Sequence, residues 1–361
     1  MTPVEPARVL VKAVNWLGDL VISLPALKAV RRAFPQAHLA VLVKRELASF
    51  FDGSSWVDEV IPYALAAGLR GLGDRRRIIA GIRARAFGLA VILPKSFDAA
   101  LWPAAGGVAR RAGFASDARG WLLTDKVRLT PALLETHQVH LYLHMIRAAL
   151  GIAGSATDYA PDVGEHNRAK MAAWLGEQRR RPRAALIALA VAAAYGPAKE
   201  WPSECFAELI DLLAERGQAE CVLVGSPAER AKCEAVAAAS RHGALVAAGT
   251  TNVGEAMALL SLCDGFAGND SGSMHVAGAL GIPTVGLFGS TNYERTGPLG
   301  PKAKAIYHQI ECSPCLQRTC RFGHYRCLRE IRPAEVAAAL HDAGAPLHFS
   351  GVASPSPGGT V

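Results

Sequence analysis

The 361-residue sequence predicts an α/β protein built from two doubly wound domains, each a parallel sheet with helices on both faces. Three observations carry this expectation. Short apolar runs alternate with longer segments of helical period. The alternation breaks once, at residues 153–168, and then restarts. Hydrophobic residues make up 51% of the chain, enough to fill a core in each half.

The first half opens with "RVLVKAV" (8–14), a β-rich run. "DLVISLPALKAVRRAF" (19–34) has helical period and stops at Pro35, which cannot continue a helix. "HLAVLVK" (38–44), "DEVIPY" (58–63) and "GLAVILP" (88–94) read as further strands, with "DRRRIIAGIRARAF" (74–87) as a helix before the last of them. The helix "THQVHLYLHMIRAALG" (136–151) closes this half, expected as residues 1–160. Residues 153–168 lose periodicity and gain Pro, Gly and Asp, marking an interdomain region.

In the second half, expected as residues 161–345, the strands are 184–191, 219–226, 244–250 and 264–269. Helices are expected at 203–217, with Ser203 as N-cap, at 227–240 behind Pro227, at 253–263 and at 333–342. "GNDSGSMHVAGALGIPTVGLFGS" (268–290) reads as a strand end, a polar turn, a helix and a second strand. Residues 346–361 are expected as a disordered tail.

Composition narrows the partners. Lys and Arg number 39 against 31 Asp and Glu, a net charge of +8. That balance favours an anionic partner such as a phosphorylated ligand, an anionic membrane surface or a nucleic acid; an Arg-rich solvated surface produces the same count. No stretch of about 18 apolar residues is present, and Pro3 and Glu5 spoil a signal-type start, so a cytoplasmic chain is expected. Aromatic residues reach only 7% and no nucleic-acid motif appears, which counts against a basic nucleic-acid-binding protein with a Cys-rich staple.

Ligands of open α/β sheets bind outside the carboxyl ends of the strands. Three strand-to-helix junctions therefore matter most. In the first, Asn269, Asp270, Ser271, Gly272 and Ser273 precede a helix that carries His275. The free N–H groups and dipole of that helix face an anion, Gly272 lets the backbone approach, and the serines add donors. Helix capping by Asp270 and Ser271 is the plainer reading. In the second, "NWLGDLVISLPAL" (15–27), a turn at Gly18 leads into Asp19, a helix cap or a general base. This turn lacks the three-glycine spacing of a nicotinamide site. In the third, "YGPAKEWP" (195–202), Lys199 is either a surface lysine or a cation for a leaving diphosphate.

Taken in order, "NWLGD…PAL", "YGPAK.WP", "VLVGS" and "NDSG.MHVAGALG.P.V.LFG" resemble the ADP-heptose:lipopolysaccharide heptosyltransferases, most closely their second type, from about residue 9 to about residue 342. The resemblance implies two Rossmann-like domains in the GT-B glycosyltransferase arrangement, with the active site in the interdomain cleft. It implies an inverting transfer of L-glycero-D-manno-heptose from ADP-heptose to the lipopolysaccharide inner core, at the cytoplasmic face of the inner membrane and without cofactor or metal. The first heptosyltransferase type, a related nucleotide-sugar transferase and an inactive donor-binding relative are its neighbours. By the same resemblance Asp19 is the catalytic base, beside Gly18, and Lys199 contacts the donor diphosphate. Asp270 holds donor hydroxyls, Ser271, Gly272 and His275 form the phosphate-facing turn, and Glu229 is the candidate for the adenosine ribose. Two departures stand out. Val191 and Ala192 replace a Pro-Gly pair before the lysine loop, and Lys95 and Asp98 alter an Asn-Ser-Phe-basic stretch on the acceptor side.

Two further features are open at this level. Arg75, Arg76, Arg77, Arg83 and Arg85 either meet acceptor phosphates or form a solvated helix face. Cys312, Cys315, Cys320 and Cys327, with His324 among them, either bind zinc as a structural staple or stand as thiols or a disulfide. Cys205, Cys221, Cys233 and Cys263 fall in periodic segments and read as core.

Overall fold

The computed structural model describes residues 5–348, the side chain of Leu69 excepted. The chain divides into two compact units, with the boundary between Asp162 and Val163.

The first unit holds strands β1 (Arg8–Lys12), β2 (His38–Lys44), β3 (Glu59–Tyr63), β4 (Leu89–Ile92), β5 (Arg110–Phe114) and β6 (Asp125–Val127). All pair in parallel, in the order β3-β2-β1-β4-β5-β6. Its helices are α1 (Leu17–Ala33), α2 (Gly71–Ala84), α3 (Phe97–Ala105), α4 (Pro131–Glu135) and α5 (Gln138–Leu150). β1 and β4 lie at the centre; β4 is wholly apolar and β1 is apolar between Arg8 and Lys12, as burial on both faces demands. Strands β5 and β6 and helix α3 were not legible in the sequence. β5 reads "RRAGF" and β6 is three residues long, so neither shows an apolar run. Arg119 braces this side. Fully buried, it donates from Nε to the Phe114 carbonyl at 2.9 Å and from Nη1 to that of Ser96 at 2.8 Å.

The second unit holds β7 (Ala185–Ala190), β8 (Ala219–Leu223), β9 (Leu245–Val246), β10 (Gly265–Asn269), β11 (Thr284–Phe288) and β12 (Ala303–Tyr307). Its order, β12-β11-β10-β7-β8-β9, repeats the connectivity of the first unit. The helices are α6 (Glu165–Gln178), α7 (Ser203–Glu215), α8 (Arg230–Ala239), α9 (Val253–Ser261), α10 (Gly272–Ala279), α11 (Tyr293–Thr296), α12 (Arg326–Arg329) and α13 (Pro333–Asp342). Residues 165–168, expected in the aperiodic region, already belong to α6. Pro202 rather than Ser203 occupies the N-cap of α7, and no side chain caps it. α10 lies close on the sheet. A Cβ at Gly286 of β11 would stand 2.3 Å from the Met274 sulfur, so the glycine leaves that side chain its room.

The core of this unit runs from Ile187 and Leu189 through Phe206, Leu213 and Leu340 to Ala345 and Leu347. Ordered packing thus continues past residue 345; residues 349–361 of the expected tail lie outside the described residues.

Candidate active site

In each unit the strand order reverses beside the central strand, between β1 and β4 and between β7 and β10. The crevice at such a reversal is where open α/β sheets bind ligands.

In the second unit β10 ends at Asn269 and α10 begins at Gly272, with Ser271 as its N-cap. The Ser271 side chain makes no capping bond, so the plain capping role does not hold for it. Asp270 does not cap the helix either. Its buried carboxylate collects groups from three other segments. Lys199 Nζ lies 2.5 Å from Oδ2, Thr291 Oγ1 donates to the same oxygen at 2.7 Å, and His275 Nε2 stands 3.8 Å from Oδ1. Asn269 Nδ2, Ser271 Oγ and Ser290 Oγ are buried with no hydrogen-bond partner among the described residues. Buried polar atoms left this way are costly unless something else meets them. They sit beside the first turn of α10, whose N–H groups are of the kind that meet an anion.

Lys199 is placed by a well-anchored loop. It ends a single turn, Pro197–Lys199, behind Gly196 at φ +142°. A Cβ at Gly196 would sit 2.7 Å from the Arg318 carbonyl, which accepts from the Ala198 amide at 3.0 Å. Beyond the lysine, Trp201 is fully buried on the Phe206 ring. The Trp201 amide donates to Asn269 Oδ1 at 2.8 Å and its indole N–H to the Ile331 carbonyl at 3.0 Å. The same Asn269 thus ties the lysine loop to the end of β10. Val191, where a Pro-Gly pair was expected to begin, is fully buried in the core and leaves this anchoring intact. Glu229 ends the turn Pro227–Glu229 that follows β8, where its Oε2 accepts from the Ser226 amide at 2.6 Å in a capping box.

In the first unit α1 starts two residues earlier than expected, so Gly18 and Asp19 lie inside its first turn and Trp16 is the N-cap. Gly18 therefore does not turn the chain, and Asp19 does not cap. A carboxylate at this position is stabilised by the helix dipole. Gln138 of α5 donates to Asp19 Oδ1 at 3.1 Å and to the Tyr142 hydroxyl at 3.0 Å. Burial and the Asp19 charge both push the Tyr142 phenol up.

Sequence reasoning missed Lys12 and Tyr63. Lys12 ends β1, is 1% exposed, and donates to the Ala13 carbonyl at 2.7 Å and to the Tyr63 hydroxyl at 3.0 Å. Tyr63 in turn donates to Asn15 Oδ1 at 2.7 Å. Burial, with Lys44 nearby, lowers the Lys12 ammonium to about 7. Lys12, Asn15, Tyr63, Asp98 and Trp102 line a cavity of about 460 Å³ at the strand ends. The one available signal was a lysine ending an apolar central strand, which requires a partner.

The arginine run on α2 is largely used internally. Arg75 pairs with Asp98, Arg77 with Asp74 and Arg85 with Glu59, while Arg83 donates to the Ala105 carbonyl. The eight cysteines form no disulfide, and among the described residues no group of three or more His, Cys, Asp or Glu is arranged to hold a metal ion. Cys221, Cys233 and Cys263 are buried in the core, while Cys205 is half-buried against it. Burial pushes the Cys320 thiol up, but the amides of Tyr325, Phe322, Gly323 and His324 outweigh it and leave the thiol below its ordinary value. No described helix is long and apolar enough to cross a membrane.

Comparison with known proteins agrees with this geometry. Residues 75–326 match the model of glycosyltransferase family 9 (heptosyltransferase). Lipopolysaccharide heptosyltransferase 2 of Salmonella typhimurium is 30% identical over 92% of this chain and 97% of its own length. The Escherichia coli enzyme of the same name is 29% identical, again over 92% of this chain and 97% of its own. The solved structure of E. coli ADP-heptose lps heptosyltransferase II superposes with a TM-score of 0.79 at 27% identity, covering 93% of this chain and 98% of that one. A family 9 glycosyl transferase from Veillonella parvula shares the fold, with a TM-score of 0.82 at 21% identity over 93% of this chain and 97% of that one. Two parallel sheets of the GT-B type, and a family match that spans most of the chain, make this protein a glycosyltransferase of family 9, the heptosyltransferases.

Proposed function

We propose that the protein transfers L-glycero-D-manno-heptose from ADP-heptose to heptosyl-Kdo2-lipid A in lipopolysaccharide inner-core synthesis, with inversion at the anomeric carbon. The observation that carries this reading is the Asp270 cluster. One buried carboxylate orders Lys199 and Thr291 beside an anion-ready helix start, on a chain related to type 2 enzymes over nearly its whole length.

In this reading the adenine nucleotide and the diphosphate belong to the second unit. The Asp19 carboxylate takes the proton of the acceptor hydroxyl as its oxygen forms the new bond to the anomeric carbon. The bond from that carbon to the diphosphate oxygen breaks on the opposite face, and its electron pair leaves with ADP. Lys199 and the first-turn amides of α10 stabilise the charge that grows there. Asp270 orients Lys199 and meets donor hydroxyls, and Glu229 lies on the ribose side. The first-unit cavity at Lys12 and Tyr63 suits an acceptor sugar, with Trp102 as an apolar wall and Asp98 and Asn15 as hydrogen-bonding groups. A lipid-borne acceptor places the enzyme at the cytoplasmic face of the inner membrane as a peripheral protein.

The test is ADP release from ADP-heptose. Release that requires heptosyl-Kdo2-lipid A is the expected result. Release indifferent to the acceptor overturns the transferase reading, and equal use of Kdo2-lipid A moves the assignment to the first type.

A further inference from the structure

The charges at the diphosphate site do not balance with Lys199 alone. Its ammonium already faces the Asp270 carboxylate, which is also bonded to Thr291. The pair is close to neutral, whereas an ADP leaving group carries at least two negative charges. We propose that the guanidinium of Arg318 is the second cation of this site and grips the nucleoside diphosphate. The proposal rests on the reading that the Lys199 loop faces the donor.

Three observations place Arg318 there. Its guanidinium lies 5.1 Å from the centre of the Tyr195 ring, and Lys199 Nζ lies 4.9 Å from the same ring, so one aromatic side chain gathers both cations. Its carbonyl accepts from the Ala198 amide at 3.0 Å, and the Tyr195 hydroxyl donates to the Leu316 carbonyl at 2.7 Å. The backbone around Arg318 is therefore stitched to the turn that carries Lys199. Finally, Arg318 is exposed and pairs with no carboxylate among the described residues, unlike Lys199, Lys232 and Arg326.

The cysteine-rich segment gains a role from this. Residues 312–327 have little core of their own, since Leu316 and Phe322 are more than half exposed. They are held instead against the two loops that form the site. The Leu316 amide donates to the Ser290 carbonyl at 2.7 Å, and Ser313 Oγ donates to the carbonyl of Gly289. The segment thus carries a guanidinium to the strand ends from outside the sheet. A planar fork of donors suits phosphate oxygens better than an ammonium does.

Calorimetric titration of the full chain with ADP, AMP and adenosine tests this. R318Q is expected to weaken ADP binding about 10- to 100-fold, to weaken AMP less, and to leave adenosine unchanged. R318K is expected to recover part of the loss. R321Q, which removes a neighbouring exposed cation stacked on Phe322, is expected to change nothing. Wild-type affinity for ADP in R318Q overturns the proposal. So does an equal loss in R321Q, which signals only the general field, or an equal loss for adenosine, which signals a disturbed loop. A wild-type protein that binds no ADP fails differently: it removes the diphosphate reading of the site and this inference with it.

Discussion

The two units share one connectivity and use it differently. In the first, the central strand itself ends in chemistry: Lys12 closes β1 and is buried on Tyr63 and Asn15. In the second, the corresponding strand β7 ends in Ala190 and continues into buried Val191, both apolar. Its polar and charged groups come from the neighbouring strand ends and from a loop, as Asp270 after β10, Thr291 after β11 and Lys199 after β7. A doubly wound sheet thus fixes where a site lies and leaves open which strand supplies it. The first unit offers a cavity beside a buried lysine; the second gathers a lysine, a threonine and a histidine on one buried carboxylate at a helix start.

Substitutions can break or sharpen this division. The largest effect is expected at Asp19. Asp19→Asn should lower kcat by about 10²- to 10⁴-fold, the range for loss of a general base, with ADP affinity unchanged by calorimetry. A change in ADP affinity would erase the division of labour. Lys199→Ala should lower kcat by about 10²- to 10³-fold and, unlike Asp19→Asn, also weaken ADP. Trp201→Ala should destabilise the second unit by about 3–5 kcal/mol in denaturant unfolding, the range for a buried aromatic, because it opens a cavity beneath the lysine loop.

The smallest effect concerns pH. The folded Lys12 ammonium lies at about 7 against an ordinary 10.5, so between these values the unfolded chain binds the extra proton. Stability from this residue therefore rises with pH across that window and is lowest below 7. Lys12→Met should flatten the thermal midpoint measured between pH 7 and pH 10; an unchanged slope would mean that Lys12 is charged when buried.

Much of this was legible in the residues. Strands β7 to β11 and α13 follow from apolar runs and from Pro333 at a helix start. The turn at Asp270 was visible because polar residues concentrate where an Ala-rich chain has no structural need of them. Strand ends and caps were less legible. Gly18 reads as a turn residue, yet the helix takes it in because Trp16 turns first, with an extended backbone. Strand β12, "AKAIY", carries a mid-strand lysine that hides its apolar alternation. The Lys12–Tyr63 contact joins residues 51 positions apart, and no local period reports it. The same holds for Arg318, whose place beside Tyr195 is set by contacts across 121 residues.

The buried carboxylate of Asp270 has a consequence for how the molecule is made. Its partners sit at positions 199, 275 and 291, so the cluster closes only after the ribosome has delivered the chain through position 291, well into the second unit. Domains emerge and fold in order from the N-terminus, which leaves the first unit finished while the Asp270 cluster has yet to form. On the proposed reading, a growing chain completes its acceptor side before the side that would discharge an activated sugar.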